Sequence, residues 1–336
     1  MLFSCARKVW FRGCLLALLV VGPHVAQAQT CLTSEDMDAA TRGSLEAVGR
    51  KFFDLTARGA SGELQAASIP SVAANFAGIA SAVKESQPNL AGATGTVRPP
   101  YQLTLDGKDP VPRAEFLCGV FGKGGQTANS AVFVLPNLPP GEYAVVITES
   151  AGKVPFTVSF VLQKIGSDWK LGGFYAKPAQ VAGHNGQWFW DRARDFKAKG
   201  KNRTAWLYYL QARDLFSPVP FMSTMMTDKI YDESQPLQPT DLPAAGNNVD
   251  LTGGGKTYRL NGIFAVGVGE DLDLVVKYES PSVLNTQQAY QDNVALIKAL
   301  LAKFPELRDG FSAIIARATE PSGKDYGTLL AVKDVP

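Results

Sequence analysis

The chain has 336 residues, of which 46% are hydrophobic and 19% are charged, a composition typical of a globular protein. Three of its 33 basic residues lie in the first 28 positions, which leaves 30 basic against 31 acidic residues in the rest of the chain. A nearly neutral protein has no strong field to attract phosphate backbones or anionic lipids, so we expect no nucleic acid and no membrane-surface partner.

The first 28 residues have the three-part pattern of an export signal. Basic residues come first at 7–12, an apolar run follows at 14–22, and small residues occupy positions 26 and 28. We expect cleavage after Ala28, so that the mature chain begins at Gln29 and is periplasmic or secreted. The apolar run is shorter than the ~20 residues of a membrane-spanning helix, and no later run approaches that length, so no membrane span is predicted.

Cleavage would remove two of the four cysteines and leave Cys31 and Cys118. In an oxidising compartment this pair can form a disulfide, which would close an 88-residue loop and stabilise the fold by ~2–4 kcal/mol. The alternative is a buried free thiol at Cys118 and an exposed one at Cys31. We predict the disulfide.

The first predicted unit, 29–180, begins with helices. Thr33 or Ser34 can cap the first helix, and Gly59 ends it. Apolar residues at helical spacing mark one face of each predicted helix: Leu45, Val48, Phe52 and Leu55 in the first, and Val72, Phe76, Ile79 and Val83 in the second.

Short strand-like runs follow, separated by turns rich in Gly, Pro, Asn and Asp. They occupy 101–105, 114–121, 131–135, 142–148, 155–164 and 169–175. Regular short strands with tight turns predict a single antiparallel meander. Helices followed by an antiparallel sheet indicate an α+β fold rather than a doubly wound one.

The end of this sheet carries a family resemblance. A long amphipathic helix, the break ARGASGE at 57–63, a second helix, and a sheet that ends on Trp169, Lys170, Leu171 and Tyr175 resemble the nuclear transport factor 2-like fold over residues 33–177. The resemblance implies a curved, cone-like sheet. In that family the cone hosts an active site in some members and a partner interface in others.

The next predicted unit, 181–232, is a helical hairpin. Gly200, Ala205, Tyr209 and Ala212 resemble the spacings of a tetratricopeptide helix pair. A solenoid needs at least three such units and this chain has one, so we expect a single hairpin docked on a neighbour. A third helix is predicted at 221–231.

Three prolines and few apolar residues mark 233–249 as a linker. Beyond it, 250–336 reads as a ββαββ unit. The strands are predicted at 257–269, 271–280, 311–320 and 326–335, and the helix carries an apolar face formed by Tyr290, Val294, Ile297, Leu301 and Phe304.

The sequence contains few residues in a catalytic or ligating pattern. His184 is the one histidine of the mature chain, and there is no G-x-S-x-G, HExxH, CxxC or calcium loop. The GGGKT at 253–257 lacks both the first glycine and the following helix of a phosphate loop. Asp271 and Asp273 lie at a turn, where we expect solvated carboxylates. We therefore predict no catalytic residue, no metal site and no cofactor.

Nine aromatic residues lie within 34 positions, namely Trp188, Phe189, Trp190, Phe196, Trp206, Tyr208, Tyr209, Phe216 and Phe221. They can form the core of the hairpin and its seat on the first unit, or a partner or ligand surface. Trp206 shares the inward face of Tyr209 and should be core. Trp188 and Trp190 point about 200° apart on a helix, so one of these two is the predicted interaction surface.

Three functions remain open. The first is an exported, non-enzymatic interaction or assembly protein of the cell envelope, whose partner is another envelope protein. The second is a carrier or sensor that binds a small apolar ligand in the N-terminal cone. The third is a hydrolase or isomerase that uses carboxylates in that cone, where Asp54, Glu115 and Glu142 are the candidates.

Overall fold

The protein is described by a computed structural model that covers residues 29–121, 125–152, 154–244 and 246–336. The predicted export signal, 1–28, lies outside the described residues. Helices and mainly antiparallel sheets both occur, so the predicted α+β class is confirmed. No helix in the described ranges is long and apolar enough to cross a membrane.

The N-terminal part of the described chain contains, in order, β1 (Gln29–Leu32), α1 (Ala39–Ala57), α2 (Ser61–Ala66), α3 (Pro70–Ala73), α4 (Ala77–Leu90), β2 (Gly95–Val97), β3 (Tyr101–Leu105), β4 (Val111–Cys118), β5 (Ala131–Leu138), β6 (Gly141–Ser150), β7 (Phe156–Ile165) and β8 (Asp168–Pro178). The remainder contains α5 (Gly186–Ala198), α6 (Asn202–Phe216), β9 (Met222–Ser223), α7 (Met225–Ser234), β10 (Val249–Gly253), β11 (Lys256–Val268), β12 (Asp271–Glu279), α8 (Thr286–Lys303), β13 (Ala313–Thr319) and β14 (Asp325–Ala331).

The cap of α1 differs from the prediction. Asp38 caps the helix, because its side chain accepts hydrogen bonds from the backbone N–H groups of Ala40 and Thr41. The Thr33 hydroxyl is already used: it donates to Asp36 at 2.6 Å and closes a turn before the helix. At the other end, Gly59 follows the helix with φ +70°, as its predicted role as a terminator requires.

The strands of the N-terminal part form two sheets, so the prediction of one meander is wrong. One sheet has the order β1-β3-β6-β7-β8, with β2 also paired to β6, and the other has the order β4-β5-β9. Both edges of β3 are occupied, by β1 and by β6, so β4 cannot continue the sheet beside it. The strand pattern did not predict the four-residue β1 at the beginning of the described chain, nor the short strands β2 and β9.

These sheets and the helices form three layers. On one face of the larger sheet, α1 and α4 enclose a core in which Phe52 meets Phe160 with ring centroids 5.6 Å apart. On the other face, the smaller sheet packs Phe133 against Tyr101 at 5.0 Å. The helix side of the sheet, where a cone would open, is thus filled by side chains.

The helices α5 and α6 of the hairpin pack on the C-terminal unit, whereas Phe221 and β9, which follow them, pack on the first unit as expected. The Tyr208 hydroxyl donates to the Gly310 carbonyl at 2.6 Å, and the Thr204 hydroxyl donates to the Glu306 carbonyl at 3.0 Å. Aromatic residues of α5 and α6 belong to the same hydrophobic core as the residues of α8 and β12.

The segment 233–249 also differs from the expected linker, because it is packed. Leu242 is fully buried in the shared core. Asp241 accepts two hydrogen bonds from the guanidinium of Arg203 on α6, at 2.6 and 3.0 Å. The prolines give this segment its irregular course, but its one buried leucine and its ion pair hold it against the hairpin.

The C-terminal sheet has the order β10-β11-β12-β13-β14, with α8 against one face. The predicted ββαββ order is present, with β10 added at the edge, and β12 and β13 form a parallel pair joined through α8. The glycines of the GGGKT motif serve the fold. Gly254 and Gly255, with φ of +60° and +77°, form the two-residue turn between β10 and β11.

Candidate functional site

Most of the aromatic segment is core, which confirms the prediction for Trp206. Trp206 is 5% exposed, and Phe189, Tyr208 and Tyr209 are likewise buried. The Tyr208 ring packs against Phe189, with centroids 5.5 Å apart, and against Phe311 of the C-terminal unit at 5.8 Å. The cluster therefore joins the hairpin to the sheet and is largely unavailable to a partner.

A single carboxylate joins the three helices of this region. Glu233, at the end of α7, accepts hydrogen bonds from Trp190 Nε1 at 2.9 Å, from Arg194 at 2.6 and 2.9 Å, and from the Tyr209 hydroxyl at 3.2 Å. The Arg194 guanidinium is the main reason that the pKa of Glu233 falls to about 2. We call these four residues the Glu233 cluster. A carboxylate that stays ionised in this way cannot donate a proton at neutral pH. Because Glu233 on α7 bonds to residues of both α5 and α6, the cluster holds the three helices together.

The two tryptophans of the predicted interaction surface have different surroundings. Trp190 is 5% exposed, so it is not part of an exposed surface. Its ring lies under the Arg194 guanidinium, 4.0 Å from ring centroid to Cζ. Trp188 is half-buried and stacks in parallel on His184, with ring centroids 3.7 Å apart. An interaction role for Trp188 remains a prediction.

The carboxylates considered for catalysis lie apart in the fold. Asp54 on α1 and Glu115 on β4 are exposed, and Glu142 on β6 forms an ion pair with Lys164 at 2.9 Å. Within the described ranges, no group of three or more His, Cys, Asp or Glu side chains could hold a metal ion.

Asp273 corrects the expectation of solvated turn carboxylates. It lies inside β12, is 2% exposed, and its Oδ1 atom is buried without a hydrogen-bond partner among the described residues. Burial raises the pKa of this carboxyl above its ordinary value, because removal from water penalises the charged form.

The face of the C-terminal sheet that points away from α8 carries an apolar row. The strand register places Phe264 beside Val275, Val275 beside Ile315, and Ile315 beside Leu329, so the row crosses four strands. Phe264 is 43% exposed and Leu329 is 48% exposed, so no described element covers the two ends of the row. We call this row the open face.

Charged groups surround the open face. The ammonium of Lys277 lies 5.5 Å from the centroid of the Phe264 ring and forms no ion pair with a described residue. A groove of about 860 Å³ runs beside the row and is lined by Val268, Asp273, Leu329 and the exposed Lys333. The surface therefore combines an apolar centre with a concave, charged margin.

The sequence of β12 and β13 contains a signal for the open face. Leu274, Val275 and Val276 are consecutive apolar residues, as are 313–316 on the neighbouring strand. Strands that are apolar on both faces are typical of sheets covered on both faces. The pattern indicates that the second face is suited to being covered, but it does not name the covering element.

Two further cavities lie elsewhere. One, of about 550 Å³, opens between the two N-terminal sheets and is lined by Leu138, Tyr143, Val161, Tyr175 and Phe221. The other, of about 470 Å³, lies between α6, α7 and β11, where Trp206, Arg213 and Tyr231 form part of its wall.

The chain was compared with known proteins at three levels. No protein-family model, no curated protein and no solved structure matches it. The resemblances to nuclear transport factor 2-like and tetratricopeptide proteins therefore stay predictions.

Proposed function

We propose that this chain is an exported, non-enzymatic interaction protein of the cell envelope, which binds a partner protein through the open face. The observation that carries the proposal is the apolar row on this face, in which Phe264 and Leu329 are 43% and 48% exposed and Val275 between them is buried. Exposed apolar side chains beside charged groups are typical of protein-binding sites, since their burial removes apolar area from water.

The margin of the open face favours a particular kind of partner. Lys277 and Lys333 form no ion pair with a described residue, and both lie beside apolar side chains of this surface. A partner with apolar side chains at its centre and carboxylates at its rim would bury the row and pair with both ammonium groups. Rim charges of this kind increase the association rate more than the affinity.

Export is the second part of the proposal. The signal pattern of the first 28 residues supports it. So does the cysteine pair, because the sulfur atoms of Cys31 and Cys118 lie at disulfide-bonding distance and their Cα atoms are 5.0 Å apart. N-terminal sequencing of the exported protein should begin at Gln29, and an N-terminus at Met1 would contradict this part.

The partner can be identified by quantitative affinity purification of the exported chain from its own cells. Leu329→Asp places a charge on the open face, and Leu284→Asp is the matched control because Leu284 is 79% exposed and lies outside the row. We expect a discrete partner to be recovered with the unmodified chain and with L284D, and to fall about tenfold or more with L329D. Equal recovery with all three proteins would overturn the proposal.

The cavity between the N-terminal sheets favours a second candidate function, a carrier of a small apolar ligand. Its wall is mainly apolar, and the Tyr143 hydroxyl, which donates to the Pro139 carbonyl at 2.8 Å, supplies a polar group at one side. Native mass spectrometry of the exported protein tests this candidate. A bound apolar molecule that Val161→Trp displaces would support it, and a ligand-free protein would contradict it.

A further inference from the structure

The cavity beside Arg213 has the size and position of a small-molecule site. It encloses about 470 Å³ between α6, α7, the segment after α7 and β11. Ligand sites in proteins commonly enclose about 300–1,000 Å³ and lie where structural units meet. This cavity lies at the junction of the helical hairpin and the C-terminal sheet. We call it the Arg213 cavity.

Arg213 is the only cationic side chain among the described residues that line this cavity. Its guanidinium lies 4.9 Å from the centroid of the Tyr231 ring. Its Nε atom is buried and has no hydrogen-bond acceptor in the described part of the chain. Asp228 on α7 is close enough to interact electrostatically, but the two side chains form no ion pair within 4.0 Å.

An arginine in this setting is suited to binding an anion. A buried N–H without an acceptor costs free energy, and a guanidinium binds carboxylates through two parallel hydrogen bonds. Most described arginines form an ion pair with a carboxylate, and Arg194 and Arg203 do so through two parallel hydrogen bonds, to Glu233 and to Asp241. Arg213 is thus a half-buried cation at the cavity wall that forms no close ion pair with a described residue.

The walls of the cavity indicate what accompanies the anionic group. Trp206, Leu210 and Tyr231 line it from the helices, and Phe264 lines it from β11. The amides of Asn248 and Asn261 add neutral donors and acceptors. Aromatic and apolar walls suit a planar apolar body, and a single cation suits one negative group rather than a chain of phosphates.

We propose that the Arg213 cavity binds a small organic anion in which one carboxylate is joined to an aromatic or similarly planar apolar body. The carboxylate pairs with the Arg213 guanidinium, and the apolar body lies against Trp206 and Tyr231. This proposal goes beyond the proposed function, because it concerns a cavity that needs no partner protein, although the Phe264 side chain belongs to both the cavity wall and the open face.

The test is isothermal titration calorimetry of the full mature chain with 2-naphthoate and with its uncharged counterpart, 2-naphthalenemethanol. We expect the carboxylate to bind more tightly than the alcohol. Arg213→Met should weaken naphthoate binding about tenfold or more and leave binding of the alcohol nearly unchanged. Arg192→Met is the matched control, since Arg192 also lies over an aromatic ring, Phe196 at 5.3 Å, but outside the cavity.

Arg213→Lys keeps the charge and provides a second variant in case Arg213→Met does not fold. Because lysine lacks the planar fork, it should retain only part of the affinity for naphthoate. Equal naphthoate binding by the unmodified chain, R213K and R213M would overturn the proposal, as would equal binding of the acid and the alcohol. Affinity purification of the partner should be unaffected by R213M, so failure at either site can be recognised separately.

Discussion

The Glu233 cluster offers the sharpest test of how the helical hairpin is held. Glu233→Gln removes the negative charge but keeps the shape and one carbonyl acceptor. The side chain of Glu233 is 23% exposed and receives hydrogen bonds from three different side chains, Trp190, Arg194 and Tyr209. We expect the substitution to lower the free energy of unfolding, since it leaves the Arg194 guanidinium with a weaker partner.

The size of this loss follows from the pKa. The environment lowers the pKa of Glu233 from 4.5 to about 2, which corresponds to about 3.4 kcal/mol at 1.36 kcal/mol for each tenfold change in the ionisation constant. Solvent screens part of this energy, and the glutamine carbonyl replaces one acceptor. We therefore expect Glu233→Gln to cost about 2 kcal/mol at pH 7.

The contribution of Glu233 to the free energy of unfolding depends on pH. A carboxyl with a lowered pKa in the folded state stabilises the fold above its unfolded pKa, here 4.5, and loses that contribution as the pH falls through about 2. Urea unfolding of the unmodified chain and of E233Q at pH 7, 5, 4 and 3 should show a full difference at pH 7 that narrows below pH 4.5. Glu63→Gln is the control, because Glu63 is 65% exposed and 4.0 Å from Arg58. A difference at pH 7 no larger than that of E63Q would refute the reasoning.

The remaining predictions use the other described contacts. Trp206→Ala removes a buried ring and should lower the free energy of unfolding by ~3–5 kcal/mol in the same urea assay. Trp188→Ala removes a half-exposed ring and should lower it by about 1 kcal/mol. Similar losses for the two variants would contradict the assignment of Trp206, and not Trp188, to the core. Asp273→Asn should raise the melting temperature at pH 7 but not at pH 3, because the raised pKa makes the unmodified chain less stable as the pH rises above 3.8. Thiol titration of the denatured, unreduced mature protein should find no free thiol from Cys31 and Cys118, and two free thiols would exclude the bridge.

The local patterns of the sequence predicted the elements better than their pairing. The apolar spacing in 286–303 gives the covering helix α8, and alternation in 257–280 gives the β11–β12 hairpin. The order of strands in the N-terminal part could not be read in the same way. There β1 is only four residues long, yet by pairing with β3 it decides that β4 belongs to a second sheet.

The unit on which the hairpin packs could also not be predicted from local sequence patterns. The sequence marks Tyr208 as an inward-facing aromatic but contains no sign that its hydroxyl will meet the Gly310 carbonyl, 102 residues away. Proline content likewise favoured a free linker at 233–249, whereas one buried leucine, Leu242, and the ion pair of Asp241 with Arg203 fix this segment. Long-range contacts of this kind depend on the whole fold.

The candidate site shows a similar limit. Consecutive apolar residues such as Leu274, Val275 and Val276 indicate that both faces of β12 are suited to burial. The exposure of Phe264 and Leu329, which only the fold reveals, is what identifies the second face as uncovered by described elements. Arg213 carries no sequence signal at all, because its lack of an acceptor results from the arrangement of its neighbours.

Site-specific photocrosslinking in the cells that export this protein tests the central claim most directly. A photoreactive phenylalanine analogue is placed at position 329, on the open face, and in a separate variant at position 284, which is more exposed but outside the row. The proposed function predicts one discrete adduct with another protein from position 329, none from position 284, and loss of the adduct when Phe264→Ser is added. Equal adducts from both positions, no adduct from position 329, or an adduct between two copies of this chain would contradict it.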